Sequence, residues 1–440
     1  MIFDLIISTL LNKKKKTVEK KMRINDFIFI ISISFSLVFF LGPNFNPDSI
    51  SYINYDKIRP PAYPIIIKFF DYVFDNNSLN ILAFIQVFFW LFSSIYFSIF
   101  LCKALNLEFY NRYIFIFFLI LPINPIHQYG NTILTESFSF ICCIGIFINI
   151  YNFYKYQNKK YYIYLFFILL LALTLRHQMI FLNFSLIILS IILLIIKKIK
   201  KSFILFVVSF LSFVSATFLN NSSNFFKYNQ FEENKRIGLQ LIILPLFNID
   251  QESILKINNL SERKVIAEMK EKYEFVNPFS EVNNTNSIPP PSNINHFASS
   301  YNTIISYSVL PVIKKYYPNL SENQIDKKLI NLSKTILKTS LKNEPLKTIK
   351  IYLDNIIKLG FSGFIWFFIC CFILYFSLTN FFKSKSSLMF FTLFLTTTHF
   401  VNIFIVSLVE PVLFRYSFYT NLALCALFFG FCIRAIKTAK

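Results

Sequence analysis

The sequence predicts an all-α polytopic membrane protein with about ten transmembrane helices, interfacial helices in its first external loop and a mainly helical external domain between the seventh and eighth spans. Three observations predict it. Hydrophobic residues make up 55% of the 440-residue chain and come in long uninterrupted blocks. The loops between blocks alternate between lysine-rich and nearly uncharged, as the positive-inside rule requires. One polar stretch, 220–356, has no spanning run and carries 17 Lys and Arg against 13 Asp and Glu. The surplus behind the net charge of +21 therefore sits in short loops and at the termini, where it sets topology, and nucleic acid is not expected as a partner. The seven cysteines lie within or at the ends of apolar segments, so neither a disulfide framework nor a metal-ligand spacing is present.

Residues 1–26 form a basic cytoplasmic N-terminus. Its apolar start is too short to span and is followed by Lys13, Lys14, Lys15, Lys16, Lys20, Lys21 and Arg23, the reverse of a signal peptide, whose charges come first. The membrane region 27–219 holds spans at about 27–41, 79–101, 113–123, 133–154, 161–175, 179–196 and 203–219, the third of them short. Lys103 and Arg112, then Lys155, Lys159 and Lys160, then Lys197, Lys198, Lys200 and Lys201 mark the inner loops. A neutral turn at 124–131 and the pair Arg176-His177 mark outer ones.

The first external loop, 42–78, contains Asn46-Pro47-Asp48-Ser49-Ile50-Ser51-Tyr52 and Arg59-Pro60-Pro61-Ala62-Tyr63-Pro64. Asp48 and Tyr52 are four apart, so one helical turn puts them on one face, and the prolines end any helix before Tyr63. The segment 63–74 reads as a helix lying in the outer interface. In the external domain, 220–356, Ser321-Glu322-Asn323-Gln324 is a capping box followed by apolar residues at helical spacing. The C-terminal region 357–433 adds spans at about 361–382, 388–408 and 413–433, and the tail 434–440 is cytoplasmic, as is the N-terminus.

Ionisable residues near membrane depth are expensive and mark sites. On the outer side they are Asp48, Asp56, Arg59, His127, Glu136, Arg176, His177, Glu410 and Arg415. Asp48, external and followed by hydroxyl residues, is the candidate general base. Glu136, one turn into the fourth span, needs a partner or water; it is either catalytic or in a structural ion pair with Arg176 or Arg59. The arginines suit bidentate contact with a phosphate or diphosphate, with lipid-headgroup snorkelling as the alternative. His127 and His177 lack a ligand spacing, which leaves metal binding an open question, and His399 reads as a packed, hydrogen-bonded histidine.

The Asp48/Tyr52 loop and the Arg-Pro-Pro-x-Tyr-Pro run resemble the GT-C glycosyltransferases that use polyprenyl-phosphate sugars, in the bacterial branch related to protein mannosyltransferases and lipid A aminoarabinose transferases. Thr135-Glu136, Leu175-Arg176, and Glu410 with Arg415-Tyr416 are similar to that branch too. The resemblance covers about 24–219 and 354–433. It implies inverting transfer of a sugar from a polyprenyl-phosphate-linked donor to a lipid, glycan or protein acceptor, at the outer face of a bacterial cytoplasmic membrane. Asp48 and Glu136 would be catalytic; Tyr52, Arg59, Tyr63, Arg176, His177, Glu410 and Arg415 would bind substrate. The resemblance fixes no cofactor; Asp48 would act on the acceptor hydroxyl either directly or through a divalent cation. Many members carry Asp-Glu in this loop, whereas Asp48 precedes Ser49, which leaves the base to act alone. An O-antigen-type polymerase or ligase also keeps arginines in an external loop. A lipid or polysaccharide exporter fits less well, because polar residues should then spread through the membrane depth.

Overall fold

The computed structural model describes residues 22–123, 128–232, 237–276, 301–302, 304–358, 363–409 and 416–439. Among them every regular element is helical, and the sole β-type pairing is an isolated bridge between Asn44 and Thr132. Eight helical segments in the described residues are long and apolar enough to cross a membrane. Several are inside-out in character. The helix Ile199–Tyr228 buries Ser202, Ser209 and Ser212 and exposes Phe203, Phe206, Phe210 and Phe218, a pattern stable only against lipid. This is an all-α polytopic membrane protein, and it divides into two compact units.

The first unit takes in 1–231, 371–399 and 419–440. Its helices are α1 (Ile24–Leu41), α2 (Pro47–Ile53), α3 (Ala62–Phe74), α4 (Ser78–Leu105), α5 (Arg112–Ile120), α6 (Glu136–Tyr156), α7 (Lys159–Leu175), α8 (Ile180–Ile195) and α9 (Ile199–Tyr228). At the start of α1 the Asp26 carboxylate accepts the Arg23 backbone N–H at 2.8 Å. The Arg112 guanidinium also grips it at 3.0 and 3.2 Å, both partners being almost wholly buried, so α1 is tied to α5 by a two-pronged ion pair. Gly42 closes α1 at φ +65, a conformation that costs glycine nothing. Asn44 then donates its backbone N–H to the Asn131 carbonyl and accepts that of Ile133, while Asn131 Nδ2 donates to the Gly42 carbonyl at 2.7 Å. The first loop is thereby pinned to the turn that opens α6.

Between α8 and α9, Asn183 Nδ2 donates to the Ser209 carbonyl and Ser209 Oγ returns a bond to the Asn183 carbonyl; Ser190 and Ser202 repeat the reciprocal pattern. Interhelical hydrogen bonds of this kind hold helices together where lipid removes the hydrophobic drive. Helix α9 runs nine residues past the expected end at Leu219, through Asn220-Asn221-Ser222-Ser223-Asn224, because the Asn220 and Asn224 side chains are buried and the far end is bonded to the first loop. Segment 62–74 is a helix of its own, α3, divided from α4 by a tight turn at Asp75–Asn77 with Asp75 at φ +46.

Among the described residues the apolar helical segments 109–123 and Ile237–Asn248 fall short of full spanning length, as does α7 with 17 residues. The last three helices are α16 (Phe364–Ser384), α17 (Ser387–Val409) and α18 (Phe418–Ala439). Helix α17 buries Thr392, Thr396, Thr398 and His399, so neutral polar groups are not confined to one surface. The three threonine hydroxyls bond back to their own helix, and His399 Nδ1 meets Thr420 Oγ1 at 3.1 Å.

The second unit takes in 232–370 and 400–418. It contains α10 (Ile237–Asn248), α11 (Gln251–Leu255), α12 (Leu260–Val276), α13 (Leu310–Tyr316), α14 (Glu322–Asn343) and α15 (Pro345–Lys358) around an apolar core that includes Ile242, Ile243, Ile266, Met269, Leu332 and Ile336. Ser321 caps α14, with Gln324 reaching back to the Ser321 N–H at 2.9 Å, as the capping box requires. Lys270, buried beneath α10, donates to the Phe247 carbonyl at 3.0 Å and faces Glu274; burial lowers its pKa despite that carboxylate. Asp326 accepts the Gly238 N–H at 2.7 Å, and a Cβ built on Gly238 would collide with the Asp326 backbone carbonyl oxygen. Gly238→Ala is therefore expected to destabilise this unit by about 1–3 kcal/mol through overpacking, read as a lowered melting temperature and faster limited proteolysis.

Candidate functional site

Helix α2 starts at Pro47, and the Asn46 N–H donates to Ser49 Oγ at 3.0 Å. Asp48, Ser51 and Tyr52 stand at i, i+3 and i+4, so one face presents a carboxylate, a hydroxyl and a phenol. All three hold Arg59. Its Nη2 donates to Asp48 Oδ1 at 2.6 Å, its Nε donates to Ser51 Oγ at 2.6 Å, and its guanidinium lies 4.5 Å from the Tyr52 ring centre. Burial works against the Arg59 charge, but Tyr52 and Asp48 outweigh it and its pKa is raised.

The return from α2 to Arg59 is fixed at Tyr55, which sits at φ +56, a strained conformation for a tyrosine. Its carbonyl collects Lys227 Nζ at 2.6 Å and the Tyr228 hydroxyl, while its own hydroxyl bonds Ser223 and the Lys227 ammonium lies 4.2 Å from its ring centre. The polar end of α9 is thus the clamp on the first loop.

A second ion pair lies deeper. Arg176 follows α7 in an extended conformation, and its Nη1 donates to Glu136 Oε1 at 2.8 Å and to the Tyr419 hydroxyl at 3.0 Å. Glu136 is 3% exposed and occupies the first turn of α6, where the helix dipole favours its charge. Of the two roles open to Glu136, the structural pair with Arg176 is formed. Among the described residues its other oxygen, Oε2, is buried with no hydrogen-bond partner, as is Thr135 Oγ1, while the Tyr63 hydroxyl and the Gln86 side chain, both buried, face one another.

The two pairs are neighbours. Tyr63, wholly buried in the first turn of α3, meets Tyr52 edge to face at 5.4 Å and Phe138 at 6.0 Å, and its hydroxyl is within electrostatic reach of Glu136. Gln86, buried in α4, donates to the carbonyls of Thr132 and Leu134 and holds the turn that launches Glu136. The structure therefore gathers Asp48, Tyr52, Arg59, Tyr63, Glu136 and Arg176. His177 is exposed in the turn after Arg176. Glu410, Arg415 and His127 lie outside the described residues. Gln86, Lys227 and Tyr419 were missed; the lone glutamine in an apolar span was the one sequence signal among them. No group of three or more His, Cys, Asp or Glu able to hold a metal occurs among the described residues.

Chemically, the site offers two guanidinium groups, one bracketed by Asp48, Ser51 and Tyr52, above a layer of buried acceptors and hydroxyls. A polyanion carrying hydroxyls satisfies both kinds of group. No protein-family model, curated protein or solved structure matches the chain.

Removing one partner of a buried pair strands the other charge. Arg176→Gln alone should lower stability by about 3–5 kcal/mol, and Glu136→Gln in the same chain should return part of it. Thermal unfolding of the two single variants and the double variant in one detergent checks this; simple additivity would show that the pair is not coupled.

Proposed function

We propose that the protein is a GT-C type membrane glycosyltransferase, moving a sugar from a polyprenyl-phosphate-linked donor to a lipid, glycan or protein acceptor at the outer face of the cytoplasmic membrane. The observation that carries this reading is the Asp48–Arg59 pair on the short helix α2, set beside the Glu136–Arg176 pair. Ten spans complete the reading, the eight long segments being joined by 109–123 and α7. Both termini are then cytoplasmic, and the paired acids and arginines lie at the ends of the helices opposite the lysine-rich loops.

The reaction is an in-line displacement. The acceptor hydroxyl oxygen forms a bond to the sugar's anomeric carbon, the bond from that carbon to the lipid phosphate breaks, and configuration inverts. Asp48 takes the hydroxyl proton, and the departing phosphate keeps the electron pair, its charge met by Arg59 and Arg176. Glu136 orients Arg176. In the free protein Arg59 occupies Asp48. A donor phosphate offers that guanidinium a second acidic partner, and the exchange frees Asp48 to act as base only when the donor is in place.

The test is transfer of label from polyprenyl-phosphate sugars by purified protein, with membrane extract as acceptor. Asp48→Asn is expected to lower turnover by about 100- to 10,000-fold at unchanged melting temperature. Full activity in that variant would remove Asp48 from the chemistry, and no transfer by folded wild type from any donor would move the assignment to a polymerase or ligase.

A further inference from the structure

Toward the other end of α7 from Arg176, beginning roughly 14 Å along the helix, an apolar groove of about 370 Å³ runs between α7 and α9. Tyr162, Ile163, Phe166 and Phe167 form one wall; Phe203, Ile204, Val207, Val208 and Leu211 form the other. Both walls lie in the N-terminal halves of their helices, so both rows start toward the lysine-bearing end. The rows also share a register with lysines. Lys159 precedes Tyr162 and Ile163 by three and four residues, and Lys200 stands in the same relation to Phe203 and Ile204, so each wall is continued toward the loop by an ammonium group. Lys160, Lys197 and Lys198 lie within three residues of these, and all five are exposed. None of the five has a carboxylate partner among the described residues. Lys201, by contrast, is engaged, donating to the Tyr154 carbonyl at 2.8 Å.

We propose that this groove is a binding site for an anionic phospholipid. One acyl chain lies between α7 and α9, and the headgroup phosphate is held by Lys159 and Lys200 with Lys160, Lys197 and Lys198 around them. Any bilayer would fill an apolar groove facing lipid. What selects the occupant here is the charge at its mouth, since lysines with no carboxylate partner among the described residues complement a phosphodiester and have no equal partner in a zwitterionic lipid. The site is independent of the transfer chemistry, because it stands at the opposite end of α7.

The experiment offers detergent-solubilised full-length protein an equimolar mixture of phosphatidylglycerol and phosphatidylcholine, then washes it and counts retained lipid by native mass spectrometry. Wild type is expected to retain phosphatidylglycerol in preference. Each lysine near the headgroup is worth about fivefold in affinity, so Lys159→Ser with Lys200→Ser should weaken retention about 25-fold. Ile204→Trp, which fills the groove and leaves the lysines in place, should lose the lipid as well. Equal retention of the two lipids by wild type overturns the proposal, whatever the variants do. So does preference that survives the double lysine variant, or displacement of the lipid by inorganic phosphate at equal concentration, which would mean that the chain contributes nothing.

Discussion

A carboxylate in an apolar helix bundle stands only if a cation stands with it, and the first unit is arranged around that requirement at Glu136. Arg176 meets Glu136 at 2.8 Å, Tyr419 takes a further guanidinium proton, and the helix dipole of α6 shares the charge. These contacts bring the end of α7 and the start of α18 to the start of α6. The bridge between Asn44 and Thr132 then delivers the first loop to the same place. Three segments far apart in sequence converge because a single charge has to be satisfied, and the bridge adds a fourth.

The same constraint explains the division of labour between the two ion pairs. Glu136 is almost sealed, and its exchange with water is costly, so its pair behaves as framework. The Asp48–Arg59 pair is more open, with side-chain exposures of 40% and 20%, and a bridge of that kind contributes little to stability. Arg59 is thus held by geometry more than by free energy, which suits the proposed exchange of partners. Glu136 Oε2, buried with no hydrogen-bond partner among the described residues, is an acceptor that a ligand hydroxyl or water would complete.

The helices were legible in the sequence because lipid imposes a crude rule, a run of apolar residues, that twenty consecutive positions either obey or break. The capping box at Ser321 and the shared face of Asp48 and Tyr52 were legible because each depends on spacing within one turn. The pairing of Glu136 with Arg176 was one of two partners open to it, since position in a span restricts depth but not azimuth. Gln86, Tyr419 and Lys227 were out of reach for a related reason: each acts across dozens to hundreds of residues, and nothing in local spacing points to the partner. The end of α9 was misjudged at Leu219 because an Asn- and Ser-rich run has weak helix propensity, and tertiary bonds at Tyr55 override it.

Helix α2 has seven residues, too few to be helical on its own in water. Its order therefore depends on what touches it, and Arg59 fastens the first and last turns together from outside by holding residues 48, 51 and 52 at once. An anion that draws this side chain away removes the fastening as well as the charge. Each backbone residue set free recovers about 1–2 kcal/mol of conformational entropy, a contribution that favours release and grows with temperature. Ligand capture at this loop would then carry an entropic signature opposite in sign to the ordering that usually accompanies binding.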